Sequence, residues 1–277
     1  MAARSELPLT ETDVETSAAP SIKSRTWSST LAMDIDKHHA DIPVVLCSFV
    51  SGLCDSVAFS ASTVFVSMQT GNTIFLALGA SSLPSNVPYM WIRALTSIGA
   101  FLLGVFCWSK LRHIRPISKG TLAANFFVQS LFIFIAASLG QSDVVPVLED
   151  LHLAEEYARD ERFDFVTLAP IALLAFQFGG QIVTSRQLGY NEVPTNVLTS
   201  VYCDLMSDPG LFSSASNPKR NRRASAVVLM LTGGIIGGWM GWSPAGMTTA
   251  LWIGGGVKFI IALAWLQWKV KESGSQK

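Results

Sequence analysis

Asp55 lies midway along an apolar stretch from Ile42 to Val66, and Lys258 lies midway along another, from Met247 to Trp268. If these stretches cross a bilayer, each ionisable group costs roughly 2.5–3.5 kcal/mol at a helix centre. Two such groups of opposite sign pair with each other, act, or do both. A carboxylate at that depth can exchange a proton or hold a cation, and a lysine can balance it or meet an anion. They are the candidates for solute or ion coupling. Gln129 and Gln177 join them as lining candidates, although each could simply bond between helices. Thr70, Gly71 and Asn72 form a polar break, followed by an apolar run from Thr73 to Gly79 that is too short to span. A second break, Pro194 to Ser200, contains Thr199. A half-helix starting at Thr70 or Asn72 would present free N–H groups and a positive dipole end to an anion or carbonyl. Alternatively, Thr70 and Asn72 cap a helix lying at the headgroups.

These residues need a membrane around them, and the composition provides for one. Of 277 residues, 49% are hydrophobic and only 14% charged, where soluble domains carry about 25% charged residues. Twenty basic and twenty acidic side chains give zero net charge, and without a long basic tract nucleic acid is a poor partner. The four cysteines lack metal-ligand spacing, so neither a metal nor a cofactor is expected. No HExxH, GxSxG or phosphate-cradling motif occurs, and the four histidines fall in the tail and loops. An enzyme is therefore not expected. Residues 1–37, rich in Ser, Thr, Asp and Glu, read as a disordered tail without an apolar signal core.

A span needs about 20 apolar residues. Six windows qualify, roughly 43–65, 89–109, 120–140, 165–184, 224–243 and 247–268. Lys110, Arg112, Arg115 and Lys119 crowd the connection between the second and third, which marks it as cytoplasmic. Alternation then puts Arg186, Lys219, Arg220, Arg222, Arg223, Lys269 and Lys271 inside as well, and the acidic 141–164 connection outside. Both termini come out cytoplasmic; which membrane holds the chain is left open.

Sliding the second half over the first by 129 residues superposes spans and basic flanks. Arg93 then falls on Arg222, Gly104 on Gly233, Thr70 on Thr199 and Lys258 on Gln129. The expected membrane domain, 38–272, divides into one unit at about 42–140 and another at about 165–268. Three spans per unit force opposite orientations, an inverted repeat of the kind secondary transporters use.

Gly52-Leu53-Cys54-Asp55, then Thr70-Gly71-Asn72, then Arg93 near the start of the next span, resembles the YoaK-like family of integral membrane proteins (domain of unknown function 1275). Gln177, Gly180, Arg186, Thr195 and Thr199 look like the family's second-half pattern, and the resemblance covers about 40–270. It departs at Thr199-Ser200, where the family tends to have Thr-Gly. The resemblance implies fold and membrane location but no substrate. The sequence thus predicts an all-α polytopic bundle of about six spans with a disordered N-terminal tail. The expected function is secondary transport or permeation of a small polar solute, with lipids as surroundings and a homo-oligomer allowed. The alternative is a non-transporting membrane scaffold or assembly factor.

Overall fold

The computed structural model describes residues 27–159 and 163–271. The helices, in chain order, are α1 (Trp27–Leu31), α2 (Asp41–Ser62), α3 (Gln69–Gly79), α4 (Met90–Ser109) and α5 (Lys119–Gln141), then α6 (Leu151–Arg159), α7 (Leu168–Leu188), α8 (Thr199–Met206), α9 (Pro218–Trp242) and α10 (Thr248–Gln267). Of these, α2, α4, α5, α7, α9 and α10 are long and apolar enough to cross a membrane. The protein is an all-α polytopic bundle, and its only extended pairing among the described residues is two isolated bridges.

Local chemistry sets the helix ends. Ser118 caps α5 by accepting from the Thr121 amide at 3.3 Å, and Asn217 caps α9 by accepting from Arg220 at 3.0 Å, with Pro218 in the first turn. The α7 helix stops at Gly189, whose φ of 93° lets the Tyr190 amide turn back to the Ser185 carbonyl at 3.0 Å.

Each half of the chain runs long helix, short helix, long helix, long helix. The second set starts at 168, 199, 218 and 248 where the first starts at 41, 69, 90 and 119, giving offsets of 127, 130, 128 and 129. The most extensive packing joins α2 to α9, α4 to α7 and α5 to α10. In the most apolar window of α2, 72% of residues are buried, and in that of α7 61%, against 28% for α4 and 22% for α9, so α2 and α7 form the interior.

Glycines set these contacts, because without a hydrophobic drive between helices in lipid, close backbone approach supplies the attraction. A Cβ on Gly52 would strike the Met230 carbonyl and the Gly234 amide, and one on Gly179 the Phe101 carbonyl and the Val105 amide. Likewise Gly233 abuts the Phe49 carbonyl and Gly104 the Phe176 carbonyl.

The apolar core is divided by depth. One cluster, at the end of the bundle rich in acidic loops, includes Leu53, Val57, Ile133, Ala137, Leu174, Phe178 and Leu251. The other, at the basic end, includes Val44, Leu122, Phe126, Leu188, Ile261 and Trp265. Between them α2, α5, α7 and α10 carry buried polar residues, among them Ser48, Ser51, Gln129, Gln177, Gln181 and Lys258.

Residues 1–26 of the expected disordered tail lie outside the described residues. The remainder, 27–37, is built into the fold. Ile35 is 2% exposed, Asp34 bridges to Ser118 and Ile35 to Val270. The hydrophilic composition before Trp27 masked the short apolar segment that docks.

Candidate functional site

Lys258 is the tenth position back from the end of α10 and is fully buried, as are Gln129 of α5 and Gln177 of α7. Its Nζ donates to Gln129 Oε1 at 2.6 Å and to Gln177 Oε1 at 2.5 Å. The ammonium also stands 5.3 Å from the centroid of the Phe178 ring, within cation–π range. A lysine has three N–H donors, and two are spent here on neutral amides. Among the described residues, the ion pairs all use Arg222 or Arg223.

A polar chain runs from this centre toward the basic end. Gln129 Nε2 donates to Asn125 Oδ1 at 2.7 Å, and Asn125 Nδ2 donates to Thr184 Oγ1 at 2.6 Å. The Trp108 indole N–H also donates to Asn125 Oδ1. Also on α7, Gln181 Nε2 donates to the Cys47 carbonyl at 3.3 Å, Ser51 Oγ at 2.9 Å and Thr195 Oγ1 at 3.0 Å. Three buried polar atoms in this layer have no partner: Ser48 Oγ, Gln177 Nε2 and Gln181 Oε1.

Residues 44–264 match the family described as protein of unknown function (DUF1275). The chain belongs to that family. No curated protein and no solved structure matches it. The DUF1275 region begins inside α2 and ends inside α10, so it contains the whole polar layer and leaves the docked 27–40 segment outside.

Asp55 occupies a different place from the one expected in this DUF1275 protein. Its Oδ1 accepts from the Val66 amide at 2.9 Å and the Ser67 amide at 2.8 Å, and its Oδ2 accepts from Ser67 Oγ at 2.5 Å. The carboxylate therefore pins the extended segment that follows α2. The expected Asp55–Lys258 ion pair does not form. A Cβ on Gly254 would lie 3.7 Å from Cys54 Sγ, which sets Lys258 four residues, about 6 Å along the helix, toward the basic end from Asp55. Sequence gives depth along each span to within a turn but not the rotation that decides partners.

The polar breaks also divide. Asn72 is fully buried; its Oδ1 accepts from the Phe65 amide at 3.0 Å and its Nδ2 donates to the Phe65 carbonyl at 2.6 Å and Ser97 Oγ at 3.1 Å. Gly71 packs against the Phe65 ring, and a Cβ there would lie 3.0 Å from it. Thr70 is exposed in the first turn of α3, and Thr199 is exposed as the first residue of α8. Neither lines the polar layer, contrary to expectation, because both helix starts turn outward. In the second half Thr195 and Asn196, not Thr199, are buried, and Thr195 is joined to Gln181.

The sequence did not single out Asn125, Ser51, Ser67 or Thr184. The available signal was spacing: Asn125 with Gln129, and Gln177 with Gln181, sit four apart on one face of otherwise apolar helices.

The two arginines related by the 129-residue offset lie at opposite ends of the bundle. Arg222 donates to Asp41 Oδ2 at 2.7 Å and Glu192 Oε1 at 2.8 Å and lies 4.9 Å from the Tyr190 ring. Burial, then the Asp41 carboxylate, holds the Tyr190 phenol above its ordinary pKa. At the other end Arg93 lies 5.1 Å from the Tyr157 ring, with Phe163 at 6.0 Å.

Proposed function

We propose that the protein is a secondary transporter or permease for a small polar solute, built from two inverted three-span units with its basic end in the cytoplasm. The observation that carries this reading is the exchange of partners between the halves. Gly52 and Gly179, 127 residues apart, each press on the second span of the other half, at contact points 129 residues apart. A two-fold axis in the membrane plane accounts for both contacts at once, and it passes between α5 and α10, where Lys258 meets Gln129. A polar layer at mid-depth between two apolar clusters is where such transporters hold solute.

In this reading Lys258, Gln129 and Gln177 line the site. Asp55 couples a proton or cation, because the loop it pins follows the inner helix α2 and moves with it. Arg222 with Asp41 and Glu192 closes the cytoplasmic side, and Arg93 under Tyr157 closes the other. The basic connections at one end support the orientation by the positive-inside rule.

Proteoliposomes carrying the full chain test the reading. Sodium formate, sodium acetate, sodium nitrate, glycine or glycerol is added outside, with internal pyranine fluorescence and light scattering as readouts. One solute class is expected to enter faster than into empty liposomes, and Asp55→Asn to slow it. Entry of all five at the empty-liposome rate, with the protein folded and inserted, favours a non-transporting scaffold instead.

A further inference from the structure

The geometry points to a binding site for one small monovalent anion, a halide, nitrate or short carboxylate, held between Lys258 Nζ and the free amide N–H groups of Gln177. This inference rests on the transport reading for its purpose, but its own support is the balance of charge and donors around Lys258. The ammonium is fully buried, and its two hydrogen-bond acceptors, Gln129 Oε1 and Gln177 Oε1, are neutral. The carboxylate expected to neutralise it, Asp55, is engaged with Val66 and Ser67 instead. A cation in that position lacks a counter-charge among the described residues, and supplying one from solution removes the imbalance.

The donors nearby point the same way. Gln177 accepts from Lys258 through Oε1, so its Nε2, on the same planar amide, lies within one further bond angle of the ammonium. That Nε2 is buried and unpartnered. Ser48 Oγ, a second buried and unpartnered group that can donate, sits on α2 in the same layer, one residue from the Cys47 carbonyl that Gln181 reaches. An ammonium, an amide N–H and a hydroxyl at one depth form a donor set that suits an anion's lone pairs. The Phe178 ring backs the ammonium on a further side. Gln181 Oε1, the third unpartnered atom, is an acceptor.

The experiment is a thermal-unfolding titration of the full chain in nanodiscs. Chloride, nitrate, formate and acetate each replace gluconate at constant ionic strength. An anion that binds the folded state raises Tm by mass action, saturating with its concentration. The expected result is a saturable rise for at least one anion in the wild type, its loss in Lys258→Met, and a weaker affinity in Gln177→Leu. If Lys258→Met does not fold, Gln177→Leu alone carries the comparison. A flat response to all four anions in the wild type overturns the site. So does the same saturable rise in wild type, Lys258→Met and Gln177→Leu, since the anion would then bind elsewhere. Saturable binding lost in Lys258→Met, without flux in proteoliposomes, keeps the site and removes the transport reading. Entry of glycerol or glycine with no anion response keeps transport and removes the anion.

Discussion

Gln129 and Lys258 stand 129 residues apart in sequence and touch, Oε1 to Nζ, at 2.6 Å. The same number relates Gly104 to Gly233 and Arg93 to Arg222. In the inverted-repeat reading, two positions that correspond by sequence offset and also meet in space lie close to the axis relating the halves, and there a single cation and a single amide face each other.

The stability of this centre depends on completeness more than on charge. Lys258→Met leaves two buried glutamine oxygens without a donor, at about 1–3 kcal/mol for each orphaned acceptor. Replacing the whole cluster, Lys258→Met with Gln129→Leu and Gln177→Leu, removes the orphans along with the ion. The triple variant is expected to unfold at a higher temperature than the single one. Additive losses across the three substitutions, measured by thermal unfolding in detergent, would contradict this.

At Asp55 shape and charge separate cleanly. Asp55→Asn keeps an oxygen for the Val66 and Ser67 amides, whereas Asp55→Leu strands both, at about 1–3 kcal/mol each. Asn is therefore expected to keep the fold and lose coupled solute uptake, and Leu to lose both. Equal melting temperatures for the two variants would mean that the carboxylate is not what holds the 66–67 segment.

Glycine substitutions test the paired helix contacts. Gly104→Ala and Gly233→Ala each drive a methyl into a facing carbonyl, and similar destabilisation of about 1–3 kcal/mol is expected from both. Gly234→Ala and Gly238→Ala meet open space, and each is expected to gain up to about 1 kcal/mol from helix propensity. A marked inequality between the first two variants would show that the halves do not share load equally.

Arg222→Gln removes the clamp between Asp41 and Glu192. All three side chains are partly exposed, so the stability loss is expected to stay within about 1 kcal/mol. Access is the larger effect. With Cys54, Cys107 and Cys203 replaced by Ser, labelling of the buried Cys47 by a small thiol reagent is expected to accelerate in this variant. An unchanged labelling rate would mean that Arg222 does not close the path from the basic end.

Span number and order were legible because hydropathy integrates over twenty residues; the 120–140 window became Lys119–Gln141, and 247–268 became Thr248–Gln267. The α9 helix starts at Pro218, six residues before its apolar window, because a run of Lys and Arg at headgroup depth is helical yet hydrophilic. At the first span the error runs the other way, since the chain breaks at Thr63, with φ of 58°, inside an apolar run. The offset matched Lys258 to Gln129 as positions and the structure brings them into contact, whereas opposite charge suggested a contact with Asp55 that does not form. Asn125 and Thr184 stayed hidden because a single polar residue in a span is as often a solitary helix-to-helix bond as part of a chain.

The bridges of Asp34 to Ser118 and Ile35 to Val270 also impose an order in time. Ile35 leaves the ribosome 235 residues before Val270, so during synthesis it waits through all six spans for that partner. The Asp36 amide likewise waits for the Lys269 carbonyl, and the Asp34 carbonyl for the Lys271 amide. Until the last span is inserted, these backbone groups have no protein partner and stay in water. A nascent protein stopped before residue 269 would therefore hold its N-terminal segment from one side only, through the Asp34–Ser118 bridge and the bond from the Ile35 amide to the Ile117 carbonyl.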